Sequence, residues 1–359
     1  MKIVVICGMS DEKVRSRLQP LVELNDVEQI YLIRRQPFEM EKVTTYTLPS
    51  LFRRLLVLAE VFRFLAIFYI CVTKKPDFIY AIYFVPHGLY GAIAGILFRT
   101  PVVQEIIGTD RLKVTKSKLL TNLLTRADHI GVRGTKSLEQ LSSLRIPKEK
   151  FFIPTSVNVL DFDHFKPDQS TKIYDLIYCG RMDQNKQIDI LIRAISITRQ
   201  KYPDIRVALV GDGSERMNLE TLCNQLNLES VISFLGNQPY QNIPSFLNQS
   251  RIFMMASSFE GLPVAMIEAL SCGLPVVVPD VGDITDITVD GYNAWLIKER
   301  SEDAFAHAFS TLLNDQNLYE NLVQGALSSR SQFLVNFSLE KAKISWTNIL
   351  QRIQPDKLY

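Results

Sequence analysis

No two of the five cysteines (Cys7, Cys71, Cys179, Cys223, Cys272) stand in a C-x-x-C pair, and their number is odd. That excludes a small disulfide scaffold and reads as reduced core thiols in a cytoplasmic protein. Histidine is scarce. His87, His129, His164 and His307 are widely spaced, so no metal-ligand cluster stands out. Net charge is nearly absent: 40 Lys+Arg against 38 Asp+Glu leave +2, which gives no global reason to expect nucleic-acid binding. The turn Gly8-Met9-Ser10 is not G-x-G-x-x-G, which argues against a dinucleotide-dependent dehydrogenase. The opening run Lys2-Ile3-Val4-Val5-Ile6 is too short for a signal-peptide apolar region and has no cleavage site after it, so it reads as a buried strand.

Uninterrupted membrane-length apolar runs are lacking too. In Leu51–Thr73 the charges Arg53, Arg54, Glu60 and Arg63 leave only Phe64–Thr73 free of charge, ten residues against the roughly 18 a span needs. The stretch reads as an amphipathic or buried helix with a basic start. Phe78–Phe98 has no formal charge, yet Pro86-His87-Gly88 breaks it, so a strand, a turn and a small-residue helix is the expectation.

What is present is a long, 47% hydrophobic chain of 359 residues, enough for two domains with real cores. Residues 1–165 hold 23 Lys+Arg and 16 Asp+Glu, and residues 166–359 hold 17 and 22. A basic first half fits an anionic partner such as a membrane surface or a phosphorylated lipid, or simply a solvated surface. Apolar strand-like runs alternate with helical stretches: Lys2–Cys7, Glu28–Ile33, Thr44–Thr47, Phe78–Tyr83, Val102–Ile107, His129–Val132 and Phe151–Ile153. After the polar segment Lys166–Thr171 the pattern restarts with Tyr174–Cys179, Arg206–Val210, Val231–Phe234, Ile252–Met255, Val276–Val278 and Ala294–Ile297. Both halves read as doubly wound α/β domains, 1–165 and 166–337, with a ligand at the carboxyl ends of the strands between them. A final helix, Leu339–Ile353 with Ser338 as its cap, belongs to 338–359 and could pack back on the first domain.

Two clusters carry chemistry. In Ser257–Val278 a loop, a helix and a Gly turn precede a strand. Gly261 permits close backbone approach, and Pro263 suits a first helical turn. The amides near Val264 and Ala265 favour an anion above the helix. Glu260 and Glu268 flank that helix end and would suit a sugar attached to a phosphate, or be a solvated loop Glu and a helix-surface Glu. In Cys179-Gly180-Arg181-Met182-Asp183-Gln184-Asn185-Lys186 two cations five residues apart on a strand-to-helix turn can grip one diphosphate, or be surface cations.

Together the two clusters make the chain resemble retaining nucleotide-sugar glycosyltransferases of family 4, with the GT-B fold. The E-x7-E motif stands as Glu260 to Glu268, and G-R-L-x-x-x-K as Gly180-Arg181-Met182 ending in Lys186. V-G-x-G stands as Val210-Gly211-Asp212-Gly213, and F-x-G as Phe234-Leu235-Gly236. G-x-P-V-V stands as Gly273–Val277, followed by Val281-Gly282. The match in order and spacing covers about residues 173–300.

The resemblance implies two facing Rossmann-like domains with an interdomain cleft. It implies that Arg181 and Lys186 hold the donor diphosphate and neutralise the leaving group, removing the need for a divalent metal or other cofactor. Glu268 would bind the ribose, and Glu260 the transferred sugar beside Gly261, Leu262 and Val264. Gly211 and Gly236 would line the nucleotide pocket. On the acceptor side Gly8, His87 and Asp110 are the candidates. His87 could instead be a satisfied loop histidine, and Asp110 a cap or turn residue. The sequence departs from the family pattern at Ile107, Gln187, Asp283, Thr155-Ser156-Val157-Asn158 and the early Gly8-Met9-Ser10 loop. The reading is a cytoplasmic hexosyltransferase-type enzyme, associated peripherally with the inner face of the cell membrane through its basic domain. It would move a sugar from a UDP- or GDP-sugar to a hydroxyl of a glycan or lipid-linked acceptor, with retention. A nucleotide-sugar epimerase and a catalytically silent donor- or lipid-binding partner are the alternatives.

Overall fold

The computed structural model describes residues 1–52, 55–108, 110–144, 146–153 and 163–353. The chain divides into two units, Met1–Val159 together with Phe337–Tyr359, and Leu160–Asn336.

The N-terminal unit holds strands β1 (Lys2–Ile6), β2 (Gln29–Ile33), β3 (Val43–Tyr46), β4 (Phe78–Ile82), β5 (Val102–Glu105), β6 (His129–Gly131) and β7 (Phe151–Phe152), in the order β3-β2-β1-β4-β5-β6-β7. Every pairing is parallel, and Val5 of β1 faces Leu32 of β2 and Tyr80 of β4. The apolar runs without alternation follow from burial on both faces. Ile3 and Val5 meet Val14, Leu18 and Leu21 of helix Asp11–Val22 and Trp346, Ile349 and Leu350 of helix Leu339–Ile353. Val4 and Ile6 meet Ile67 and Ile70 of helix Leu56–Lys74 on the other face. The closing helix thus packs within the N-terminal unit. Its Trp346 ring lies edge-on to Tyr80, centroids 4.8 Å apart, and Ser338 caps it by accepting the Lys341 amide at 3.1 Å.

The second unit holds β8 (Tyr174–Cys179), β9 (Val207–Val210), β10 (Ile232–Gly236), β11 (Ser250–Met254), β12 (Val276–Pro279) and β13 (Ala294–Ile297), ordered β10-β9-β8-β11-β12-β13 and all parallel. Both sheets are doubly wound. Their order reverses between β1 and β4 in one and between β8 and β11 in the other.

All thirteen expected strands form, with ends shifted by at most two residues. The polar segment Lys166–Thr171 is not the unit boundary, which falls earlier. Phe165 is fully buried against Tyr240, centroids 5.3 Å apart. Buried Asn248 donates to the Lys166 carbonyl at 2.9 Å and accepts the Asp168 amide at 3.3 Å, fastening the segment to the second unit. Phe78–Phe98 is a strand, a turn over 84–88 and helix Leu89–Phe98. Helix Leu56–Lys74 is 19 residues with a mean hydropathy of 2.1, long and apolar enough by length and composition to cross a membrane, contrary to the expectation drawn from its charge-free part. One of its faces is buried in this unit. Arg53, Arg54, Thr109 and Thr155-Ser156-Val157-Asn158 lie outside the described residues.

Candidate functional site

At the order reversal of the second sheet, the connections after β8 and β11 leave in opposite directions. The carboxyl ends of these two strands therefore open a crevice in which doubly wound sheets bind ligands. The loop after β8 carries Gly180–Lys186, and the loop after β11 carries Ser257–Pro263. Backbone contacts set their geometry. The Ser258 amide and hydroxyl both donate to the Asn185 carbonyl, at 2.8 and 3.2 Å, joining the two loops. The Met182 amide donates to the Asp212 carbonyl at 2.8 Å, joining the β8 and β9 loops. A Cβ on Gly211, at φ +128°, would lie 1.9 Å from the Gly180 oxygen, and one on Gly282, at φ +57°, would lie 1.7 Å from the Glu260 oxygen. Gly211 is thus required by loop-against-loop packing. Gly236, at φ +67°, accepts the Gly211 amide at 2.8 Å.

The charged groups follow. Lys186 ends a short turn, Gln184–Lys186, and its ammonium lies 2.5 Å from Glu260 Oε1, with both side chains mostly buried. Gln187, where the family often has glycine, sits in the left-handed region at φ +47°, the conformation that makes glycine usual there. Its side chain is held by Arg300. Arg181 does not share a partner with Lys186. It is 77% exposed and pairs with Asp183 at 3.0 Å.

Helix Val264–Ser271 starts beside this pair. Pro263 is its N-cap residue rather than part of its first turn, and no side chain caps that end. Gly261, Leu262 and Val264 are half-buried. Glu268 is buried rather than on a solvated helix surface. Burial pushes the Cys179 and Cys272 thiols up to about 12, with the Glu268 charge adding to the effect, so both are inert thiols at neutral pH. Burial, reinforced by Glu260, also pushes the Tyr178 hydroxyl well up. It stays protonated and donates to the Arg181 carbonyl at 2.6 Å.

At the order reversal of the first sheet, Gly8 follows β1 and His87 follows β4. The structure brings these two together: a Cβ on Gly8 would lie 3.0 Å from His87 Cε1. His87 is buried and satisfied. Its Nδ1 lies 3.0 Å from the Ile82 carbonyl and its Nε2 lies 3.3 Å from Arg63 Nη1. The carbonyl requires N–H at Nδ1, which leaves Nε2 to accept from the guanidinium. Burial, then the Arg63 charge, lower its pKa to about 4. Asp110 is not beside this pair in any hydrogen bond described. It accepts the Phe84 amide at 2.5 Å and pairs with Lys113 at 3.5 Å, bracing the loop after β4. Burial raises its carboxyl above the usual range.

The sequence reading missed two arginines here. Arg17 is buried and holds buried Glu105 at 3.1 Å, and Arg34 holds the Met9 carbonyl at 3.1 Å and Asp11 at 2.7 Å. Arg17 had a legible signal, because it shares the inward face of its helix with Val14, Leu18 and Leu21. Arg34 had none beyond following a strand. Among the described residues no group of three or more His, Cys, Asp and Glu could hold a metal ion.

Comparison with known proteins bears on both units. Residues 160–328 match the family of glycosyl transferases group 1. A phosphatidylinositol N-acetylglucosaminyltransferase from Arabidopsis thaliana is 27% identical over 212 residues, 59% of this chain and 44% of that protein. The putative colanic acid biosynthesis glycosyltransferase WcaL of Salmonella typhimurium is 24% identical over 301 residues, 79% of this chain and 73% of its own. The chain thus spans less than half of the plant relative. Among solved structures, Anabaena HepE in complex with UDP superposes with a TM-score of 0.76 at 19% identity, covering 98% of this chain and 100% of that one. The fold is GT-B, two parallel-sheet α/β units, and the second unit carries the signature of the group 1 glycosyltransferases.

Proposed function

We propose that this group 1 glycosyltransferase moves a sugar from a UDP- or GDP-sugar to a hydroxyl of a glycan or lipid-linked acceptor, with retention at the anomeric carbon. The observation that carries the reading is the Lys186–Glu260 contact at the order reversal of the unit bearing the family signature. The plant relative is named for N-acetylglucosaminyl transfer to phosphatidylinositol, and HepE holds UDP. Both support a nucleotide-sugar donor.

In this proposal the diphosphate takes Lys186 from Glu260, and Glu260 turns to the hydroxyls of the sugar. Arg181 moves from Asp183 onto the diphosphate as the second cation, and Glu268 binds the ribose. The bond between the anomeric carbon and the phosphate oxygen breaks, and its electron pair leaves with the diphosphate. The acceptor oxygen bonds to the anomeric carbon on the same face, and its proton passes to the departing phosphate oxygen. Lys186, Arg181 and the uncapped amides at Val264 stabilise the charge that develops.

A thermal-shift titration with UDP, GDP, ADP and NADH, with Arg181→Ala alongside, tests this reading. Stabilisation by one nucleoside diphosphate, weakened in the variant, supports it and names the base. Stabilisation by NADH alone, or wild-type sugar transfer in both Arg181→Ala and Lys186→Ala, overturns the diphosphate assignment.

We also propose that the N-terminal unit rests on a membrane surface, where a lipid-linked acceptor would lie. The supporting observation is helix Leu56–Lys74. Leu58, Val61, Leu65, Tyr69 and Val72 recur every three or four residues and are all exposed, while Ala59, Ala66, Ile67, Ile70 and Cys71 are buried in the core. A surface helix that is apolar on both faces breaks the amphipathic rule for contact with water. Ile93, Ile96 and Leu97 of the neighbouring helix Leu89–Phe98 are exposed as well.

A further inference from the structure

The two helices with exposed apolar residues end beside one another, and between their ends lies a cavity of about 620 Å³. Cys71, Val72, Lys75, Asp77, Phe98 and Arg99 are among its lining residues. Its wall therefore passes from apolar to cationic at the edge of the exposed apolar surface. Lys75 and Arg99 follow the last turns of their helices in the left-handed conformation, at φ +49° and +52°. Glycine is the usual residue at such a position, because a Cβ is disfavoured there. Here both positions carry a long cation, and both, with neighbouring Lys74, are exposed. The one carboxylate in the lining, Asp77, is engaged by the Lys2 amide at 2.6 Å. Three cations against one hydrogen-bonded carboxylate leave the mouth of the cavity positive.

We propose that this cavity takes the phosphate headgroup of an anionic phospholipid, with Lys75 and Arg99 on the phosphate oxygens and the exposed stripe of helix Leu56–Lys74 in the adjoining acyl region. The inference rests on the membrane reading above and sharpens it from a basic domain to one headgroup site. The buried face of the helix keeps it packed on the sheet, so it lies along the bilayer surface rather than across it. An arginine fork grips phosphate oxygens in pairs and a lysine adds a point charge, which suits a phosphodiester better than a zwitterionic surface.

The test is co-sedimentation of the full chain with vesicles of phosphatidylcholine alone or with a third phosphatidylglycerol. Wild type is expected to favour the anionic vesicles by about 10- to 30-fold, the scale for two cations near such a surface. Lys75→Gln/Arg99→Gln is expected to lose that preference yet keep binding to phosphatidylcholine and the UDP thermal shift. Arg126→Gln/Lys148→Gln, which removes two exposed cations elsewhere on the same unit, is expected to keep the preference. An unchanged preference in Lys75→Gln/Arg99→Gln overturns the headgroup site, as does an equal loss in the control pair. Inorganic phosphate stabilising wild type but not Lys75→Gln/Arg99→Gln, with no vesicle binding, overturns the lipid in favour of a free anion. No binding to either vesicle, with the UDP shift intact, overturns the membrane reading and leaves the donor reading standing.

Discussion

The two units share a strand order at the point where each sheet reverses, yet they furnish that point differently. In the second unit glycines let three loops press backbone to backbone, and a single ion pair, Lys186–Glu260, lies between the two loops that flank the reversal. In the first unit long side chains fill the same place: Arg17 on Glu105, Arg34 on Met9 and Asp11, Arg63 on His87. The shared topology fixes where a ligand can approach, whereas the side chains decide what it meets. A backbone-built site tolerates little change in shape. A site built from buried charges tolerates little change in protonation.

Four measurements would break or sharpen this contrast. The largest effect is expected from Gly211→Ala. A methyl 1.9 Å from the Gly180 oxygen at φ +128° combines overpacking with a disfavoured backbone and should cost about 3–5 kcal/mol, read by chemical denaturation. A loss below about 1 kcal/mol would mean that the loops are not locked together.

His87 gives the matching test in the first unit. Its folded pKa of about 4 lies below the ordinary 6.5, so the unfolded chain binds the extra proton between those values. Stability should therefore rise with pH through that window and fall on acidification, by at most about 3 kcal/mol at its lower end. His87→Gln should flatten this part of the profile, and an unchanged slope would show that the imidazole does not carry it.

Arg181→Ala and Lys186→Ala should each lose about 1.5–3 kcal/mol of transition-state stabilisation, roughly 10- to 200-fold in sugar-transfer rate. The smallest effect is expected from Glu260→Gln. Removing the carboxylate that occupies Lys186 should tighten UDP binding by a few-fold, about 1 kcal/mol or less, while transfer falls. Calorimetric titration with UDP reads the first half of that expectation. Weaker binding would mean that Glu260 positions Lys186 rather than competing for it.

Much of this was legible in the chain. Strands such as Ile3–Ile6 and Val276–Val278 announce themselves as apolar runs because both faces of a parallel sheet are covered. The charged residues of the second unit were legible because a short loop after a strand has few places to put them. Long-range partners were not legible. Nothing local says that Lys186 will meet a carboxylate 74 residues away, or that Gly282 will abut the Glu260 backbone. Helix Leu56–Lys74 shows the same limit from the other side, since its residues announce an apolar helix but not which stripe faces the sheet.

Local physical chemistry written in the sequence therefore determined the elements, their alternation and the positions of the candidate cations and carboxylates, because strand burial, turn formation and capping depend on near neighbours. Only tertiary structure decided how they pair. It set Arg181 outward on Asp183, buried Glu268, satisfied His87 with Arg63 and left a positive cavity between two helix ends. The reason is that pairing depends on which loops the parallel crossovers bring together, and that is a property of the whole sheet rather than of any segment.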